Sequence, residues 1–74
     1  METNKAIIKF GENLTKLRAQ KGLTQKEMAA RLGIGIKSLR KLERGMLPPR
    51  LRCDVFDRLF DEFGITADKI FQEI

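Results

Sequence analysis

The chain has 74 residues, with 15 Lys or Arg against 10 Asp or Glu, a single cysteine and no histidine. This length allows one domain, residues 1–74, and no apolar stretch is long enough to span a bilayer. One thiol without histidine excludes an internal disulfide and a zinc site, so we expect no metal, no cofactor and a cytoplasmic setting.

The charge is unevenly distributed along the chain. Residues 1–23 carry five basic and two acidic side chains, and residues 24–50 carry seven basic and two acidic ones. Residues 51–74 carry three basic and six acidic side chains. The net charges of the three stretches are therefore +3, +5 and −3. A polyanion should approach the first two-thirds of the chain, with the acidic end facing away. Charge alone is equally compatible with an ordinary solvated surface.

Glycine and proline separate five predicted helices, and no stretch shows the alternation typical of a strand. The first helix stops at Gly22 and carries the apolar stripe Ile7, Phe10, Leu14 and Leu17. The second begins at Thr24, where Glu27 completes the spacing of a capping box, and stops at Gly33. Its inner stripe comprises Met28, Ala29 and Leu32.

The third helix is predicted over roughly residues 36–44, with Leu39 and Leu42 inside. Gly45 stops it, because glycine readily takes the left-handed conformation that follows a helix. Residues 46–49 then form an extended connection, since proline lacks an amide hydrogen and restricts the residue before it.

The fourth helix is closed by Gly64 and carries the apolar residues Leu51, Val55, Phe56, Leu59, Phe60 and Phe63. Thr66 caps a short fifth helix that contains Ile70, Phe71 and Ile74. The pattern predicts an all-α fold of five helices.

A very tight connection joins the second and third helices, because only Gly33-Ile34-Gly35 separates them. Such a turn favours a crossing near a right angle, which is the arrangement of a helix-turn-helix motif, here over residues 24–45. In that motif one helix fills the major groove of DNA while the other crosses the backbone. The residues expected to face inward are Met28, Ala29, Leu32, Ile34, Leu39 and Leu42.

The runs LRAQKGLTQKEMAARLGI and LERG, followed by a proline, resemble the phage-repressor and Cro-like (lambda-repressor-like, Xre-type) helix-turn-helix proteins. The resemblance extends over about residues 8–72. It implies a compact five-helix domain that binds double-stranded operator DNA, usually as a homodimer on a pseudo-palindromic site. It thereby implies repression or activation of transcription. Of the two we favour a repressor, and we expect it to be cytoplasmic and nucleoid-associated, of bacterial or phage origin.

The resemblance also assigns roles to individual residues. Gln25, at the start of the second helix, matches a position that holds a DNA phosphate, where the helix N-terminus favours an anion. Arg18 and Glu43 match a pair that locks the first helix to the third. The remaining residues expected at the DNA are Gly35, Ile36, Lys37, Ser38, Arg40, Lys41 and Arg44. Of these, Arg40 and Arg44 are expected at base edges or at flanking phosphates.

Two positions depart from the family pattern. Gly35 stands where Ser or Thr is common. Glycine is tolerated at a helix N-cap, but it has no side chain that accepts a hydrogen bond from the first turn, so it specifies the helix start less strongly. Ile36 stands where the family more often has a polar residue, and it either contacts a thymine methyl or packs against the domain. The cations beyond it favour guanine, which presents two acceptors in the major groove, but they also suit phosphates.

The acidic end of the chain leaves an alternative function open. We expect its Phe residues to lie mainly in the core and any surplus among them to be available for a dimer contact. These residues are Phe56, Phe60, Phe63 and Phe71. An antitoxin or adaptor of the same fold could use this end to bind a protein partner, such as a toxin or a polymerase subunit. The spacing of the carboxylates in this stretch predicts an exposed acidic face and not a cation-binding site. They are Asp54, Asp57, Asp61 and Glu62.

An enzyme is not expected. The sequence has no histidine, no Gly-rich phosphate loop and no nucleophile with a base at hand. Cys53 lacks a context that would activate its thiol, so we assign it no chemical role.

Overall fold

The computed structural model describes residues 5–48 and 54–72. Over these residues it contains five helices and no strand. The helices are α1 (Lys5–Lys21), α2 (Gln25–Leu32), α3 (Ile36–Glu43), α4 (Asp54–Phe63) and α5 (Ala67–Ile70). The predicted all-α fold is therefore confirmed. The expectations for Pro49, Leu51, Cys53 and Ile74 lie outside the described residues.

Two helix ends differ slightly from the sequence prediction. Arg44, expected as the last residue of α3, is its C-cap instead, with φ −89° and ψ 2°. Phe71 follows α5 rather than lying within it, because the helix ends after a single turn at Ile70. No described helix is both long and apolar enough to cross a bilayer.

The predicted start of α2 is confirmed in detail. The Glu27 amide donates to the Thr24 hydroxyl at 3.1 Å, and the Thr24 amide donates to a Glu27 carboxylate oxygen at 2.9 Å. These two bonds form a reciprocal capping box, which satisfies two amides that a helix start otherwise leaves free. At the other end, Gly33 takes the left-handed conformation with a φ of 70° and stops the helix.

One hydrophobic core lies between the helices, and every helix contributes to it. Its buried members are Phe10, Leu14, Leu17, Met28, Ala29, Leu32, Leu39, Leu42, Val55, Leu59 and Ile70. Helix α3 packs against both α1 and α2, while α4 packs against α2 and α5 packs against α1 and α4. Full burial of each large side chain contributes roughly 1.5–3 kcal/mol, so α3 is fixed mainly through its inner residues, Leu39 and Leu42.

The Phe residues of the acidic end are less buried than predicted. Phe56 and Phe71 pack with Phe10 of α1, with ring centroids 5.2–6.0 Å apart, and Phe63 is half-buried. Phe60, with an exposed fraction of 57%, is the Phe that lies outside the core. Val55 and Leu59 define the inner face of α4, and Phe60 is turned about 100° from Leu59 because a helix advances by that angle per residue.

Two residues of α1 have packing roles that the sequence pattern did not predict. A Cβ atom on Gly11 would lie 2.0 Å from the carbonyl oxygen of Leu42, so only glycine allows α1 to approach α3 this closely. Asn13 is fully buried, and its Nδ2 donates to the carbonyl oxygens of Ile70, at 2.6 Å, and of Gln72. Asn13 thus ties α1 to the end of α5.

Candidate nucleic-acid interface

The turn between α2 and α3 has the three residues that the sequence indicated, and backbone hydrogen bonds fix it. The amides of Gly33 and Ile34 donate to the carbonyls of Ala30 and Ala29, at 3.2 and 3.0 Å. Gly35 then begins α3 in an extended conformation, with no side-chain hydrogen bond at the cap. Five of the six residues predicted to face inward are buried, namely Met28, Ala29, Leu32, Leu39 and Leu42, and Ile34 is half-buried against them.

The outer face of α3 is a row of cations. Lys37, Arg40, Lys41 and Arg44 are all exposed, and the adjacent Ser38 is half-buried. None of the outward side chains on this helix is acidic, because its single carboxylate, Glu43, is turned toward α1. Arg40 and Lys41 also lie in the last turn of α3, where a positive charge interacts favourably with the helix dipole.

Ile36, the first residue of α3, is half-buried and packs against the core. Of the two alternatives that its sequence position left open, packing is therefore observed. A contact between its exposed part and a base stays a prediction.

The structure brings Arg18 and Glu43 together. Arg18 Nε and Nη2 donate to the two Glu43 carboxylate oxygens at 2.9 and 3.1 Å, which is the two-point geometry that favours an Arg–carboxylate pair. The side chain of Glu43 is only 8% exposed and that of Arg18 is 23% exposed. Arg18 Nη1 also donates to the Leu23 carbonyl oxygen at 3.3 Å, so α1 is joined both to α3 and to the segment before α2.

Gln25 joins this pair to the outer face of α3. Its Nε2 donates to Glu43 Oε1 at 3.1 Å, and its Oε1 accepts a hydrogen bond from Arg40 Nε at 3.2 Å. Arg18, Glu43, Gln25 and Arg40 thus form one continuous chain of side-chain hydrogen bonds. The Gln25 amide has a second hydrogen that is available to a phosphate, so the phosphate contact expected for Gln25 stays a prediction.

Sequence reasoning did not find the Gln25–Glu43 and Gln25–Arg40 contacts. The two partners lie 18 and 15 residues from Gln25 along the chain. They meet because of how α2 and α3 pack, and no local spacing indicates such a contact.

The acidic end of the chain contributes a separate set of exposed charges, which lies on α4. Asp54, Asp57, Asp61 and Glu62 of α4 are all exposed, as predicted. Glu62 approaches Arg31 of α2 at 3.4 Å, and both side chains are well exposed, so this pair contributes little stability. Among the described residues, no group of three or more His, Cys, Asp or Glu is placed to hold a metal ion.

The start of α2 also shows a perturbed carboxylate. The pKa of Glu27 lies below its ordinary value of 4.5, mainly because the Thr24 backbone amide donates to its carboxylate. The Thr24 side chain and the Arg31 guanidinium lower the same pKa further. The two largest causes are both hydrogen bonds with Thr24, so the helix cap is what lowers the pKa of Glu27.

Comparison with known proteins agrees with this geometry. A model of the helix-turn-helix domain family matches residues 11–74. The chain is also similar to y4dJ of Sinorhizobium fredii, an uncharacterised HTH-type transcriptional regulator, with 49% identity over 39 residues. That match covers 53% of this chain and 51% of the relative, so the chain spans about half the length of the curated protein it matches. No solved structure gives a significant match. The chain belongs to the helix-turn-helix domain family, in the Xre/Cro-like group, whose members are DNA-binding transcriptional regulators rather than enzymes.

Proposed function

We propose that this protein binds a specific pseudo-palindromic site in double-stranded DNA as a homodimer and represses transcription from it. The observation that carries the proposal is the row of four exposed cations on α3 and its C-cap, on a helix whose opposite face is buried against α1 and α2. A helix held in this way presents its outer residues on a rigid support, which is what reading base edges requires.

The chemistry of α3 favours the major groove. Lys37, Ser38 and Lys41 are the proposed reading residues, because long cations and a hydroxyl can reach base edges there. Guanine presents two acceptors, N7 and O6, in the major groove, and lysine donors suit them. The first turn of α2, with Gln25, would then lie at the phosphate backbone, since the first helix of the motif crosses it.

Homodimer formation is proposed from the exposed Phe60 on α4. An aromatic side chain with 57% of its surface in water is a candidate for burial against a second copy of the chain. A two-fold dimer would place two α3 helices on one face of the duplex, with half-site centres about 10 bp or a multiple of that apart. Repression would follow from occupying DNA that the transcription machinery needs.

Selection of bound sites from a random duplex pool tests this proposal. We expect a motif with two-fold symmetry for the wild-type protein, and altered base preferences for Lys37→Ala and Lys41→Ala. Lys69→Ala is the matched control, because it removes one exposed cation from α5, a helix that packs against α1 and α4 and lies outside the helix-turn-helix motif. An asymmetric motif would contradict the dimer, and recovery of no motif would contradict sequence-specific binding.

The exposed Phe60 also favours a second candidate function, the binding of a protein partner. Its exposed neighbours on α4 include Asp57 and Asp61, so a basic partner with an apolar pocket would complement this face. Phe60→Ser separates the two functions. In a dimeric repressor it should yield a monomer with weakened operator binding, whereas in an antitoxin or polymerase adaptor it should release the partner and leave the oligomeric state unchanged.

A further inference from the structure

Arg40 differs from the other cations of α3. Its Nε donates to Gln25 Oε1 at 3.2 Å. Within the described part of the chain, the side chains of Lys37, Lys41 and Arg44 form no hydrogen bond or ion pair. One of the four cations is therefore already oriented by the protein before any DNA arrives.

The orientation of the Gln25 amide follows from Glu43. An ionised carboxylate can only accept hydrogen bonds, so the Gln25 NH₂ group must face it, as the 3.1 Å contact shows. The Gln25 oxygen then necessarily points the other way, where it accepts from Arg40. Arg18 fixes the Glu43 carboxylate through two hydrogen bonds. The direction of Arg40 is thus set by the partly buried Arg18–Glu43 pair on the far side of Gln25.

We propose that Gln25 is a positioning residue that directs Arg40 to the DNA backbone, so that Arg40 contributes affinity without contributing base preference. This inference rests on the proposed DNA-binding function. Gln25 is the first residue of α2, the helix that crosses the backbone in this motif. At about 100° per residue, Arg40 lies on the flank of α3 nearest Glu43, whereas Lys41 lies on the opposite flank beside Ser38.

The hydrogen-bonding capacity of Arg40 fits this role. Its Nε–H is used by Gln25, which leaves the four N–H groups of its two terminal nitrogens free. Those groups match the oxygens of a phosphate in a two-point contact. A guanidinium held by its Nε has also lost part of the side-chain freedom that a residue reading base edges deeper in the groove would need.

Salt titrations on a panel of duplexes test the assignment of Arg40. The panel contains the preferred site and single-base variants of it, and the proteins are wild type, Arg40→Ala and Lys41→Ala. Arg40→Ala should weaken binding to every duplex by a similar factor, roughly five- to tenfold at ~0.1 M salt, and reduce the salt slope by about 1. Lys41→Ala should instead change the ranking of the duplexes.

The outcomes separate the inference from the function on which it rests. A wild-type protein that prefers no duplex overturns the proposed function and this inference with it. A selective wild type whose ranking is changed by Arg40→Ala as strongly as by Lys41→Ala overturns the inference alone.

The positioning role of Gln25 has a spectroscopic test in the free protein. Gln25→Ala should shift the NMR signal of the Arg40 Nε–H group and speed its exchange with water, because the acceptor is lost. Lys26→Ala, at the next position of α2, which is exposed, should leave that signal unchanged. The losses of DNA affinity in Gln25→Ala and Arg40→Ala should also be less than additive in the double variant. An unmoved Arg40 signal, or additive losses, would overturn the positioning role.

Discussion

Helices α2 and α3 have the same length, eight residues, but they are specified in different ways. The start of α2 is fixed by its own side chains, through the reciprocal bonds of Thr24 and Glu27. The start of α3 is Gly35, which offers no side-chain cap. Local sequence therefore specifies α2 much more strongly than α3.

Tertiary contacts replace local signals in α3. Leu39 and Leu42 are fully buried, Glu43 is bound by Arg18 and Gln25, and the backbone at Leu42 lies directly against Gly11. All of these contacts are on the inner side of the helix. Apart from the Arg40–Gln25 bond, the outer cations of α3 therefore contribute little to holding the helix in place, and they are free to be selected for what they bind.

Substitution of Gly11 should have the largest effect on this arrangement. In Gly11→Ala the new Cβ would meet the backbone of Leu42 and Glu43, with the nearest atom 2.0 Å away, and backbone atoms cannot move aside as a flexible side chain can. We expect the free energy of unfolding to fall by about 3 kcal/mol, even though alanine favours the helix by ~1 kcal/mol. Denaturant-induced unfolding measures this change.

Gly35→Ala is the matched control for Gly11→Ala. No atom lies within 4 Å of a Cβ built at Gly35, and its φ of −74° suits any L-residue. Stability should stay within about 1 kcal/mol of wild type, because alanine reduces the freedom of the unfolded chain but is a poorer N-cap than glycine. A similar loss of stability in both variants would show that close approach between α1 and α3 is not the cause.

The sequence was sufficient to predict what depends on local signals. Gly22, Gly33, Gly45 and Gly64 were predicted to end helices, and all four have φ values of 66–79°. The apolar stripes of α1, α2 and α3 were likewise identified by their spacing. In the chain of hydrogen bonds from Arg18 to Arg40, the Arg18–Glu43 pair was predicted but the two contacts of Gln25 were not. Gln25 meets its partners through tertiary packing, which no local spacing indicates.

Two signals in the sequence could have revealed more. Asn13 falls at the inner spacing of α1, three residues after Phe10 and four before Leu17, so its burial could have been expected from position alone. A glycine inside a helix costs ~1 kcal/mol relative to alanine, which is a reason to expect a close approach at Gly11. What these residues contact, however, depends on the packing of α1 against α3 and α5.

Thr24→Ala should have the next largest effect and should be confined to α2. The variant loses the hydroxyl that accepts from the Glu27 amide at 3.1 Å, and removal of such a cap typically lowers the free energy of unfolding by ~1 kcal/mol. Lys26→Ala, in the same turn, changes an exposed residue without a cap bond and should remain within ~0.5 kcal/mol of wild type. Equal stability of Thr24→Ala and wild type would contradict local specification of α2.

Gly35→Ser should give α3 the local start signal that it lacks. A serine at this position can accept a hydrogen bond from an amide in the first turn, and the observed backbone conformation already suits a cap. We expect a gain of about 0.5–1 kcal/mol in unfolding free energy, which combines the cap with the lower entropy of the unfolded chain. Comparison with Gly35→Ala isolates the hydroxyl, and no gain over alanine would show that tertiary contacts alone position α3.

The smallest expected effect is a pH dependence in the start of α2. Because hydrogen bonding from the Thr24 amide holds the folded-state pKa of Glu27 below 4.5, its ionised form stabilises the folded protein. This contribution is complete above the unfolded-state pKa and is lost as the pH falls through the lowered folded-state pKa. Glu27→Gln retains an acceptor for the Thr24 amide but does not titrate. The stability of wild type relative to Glu27→Gln should therefore be constant near neutral pH and decline from about pH 5 downward. A relative stability that is flat, or that rises in acid, would show that the carboxylate charge plays no part in starting α2.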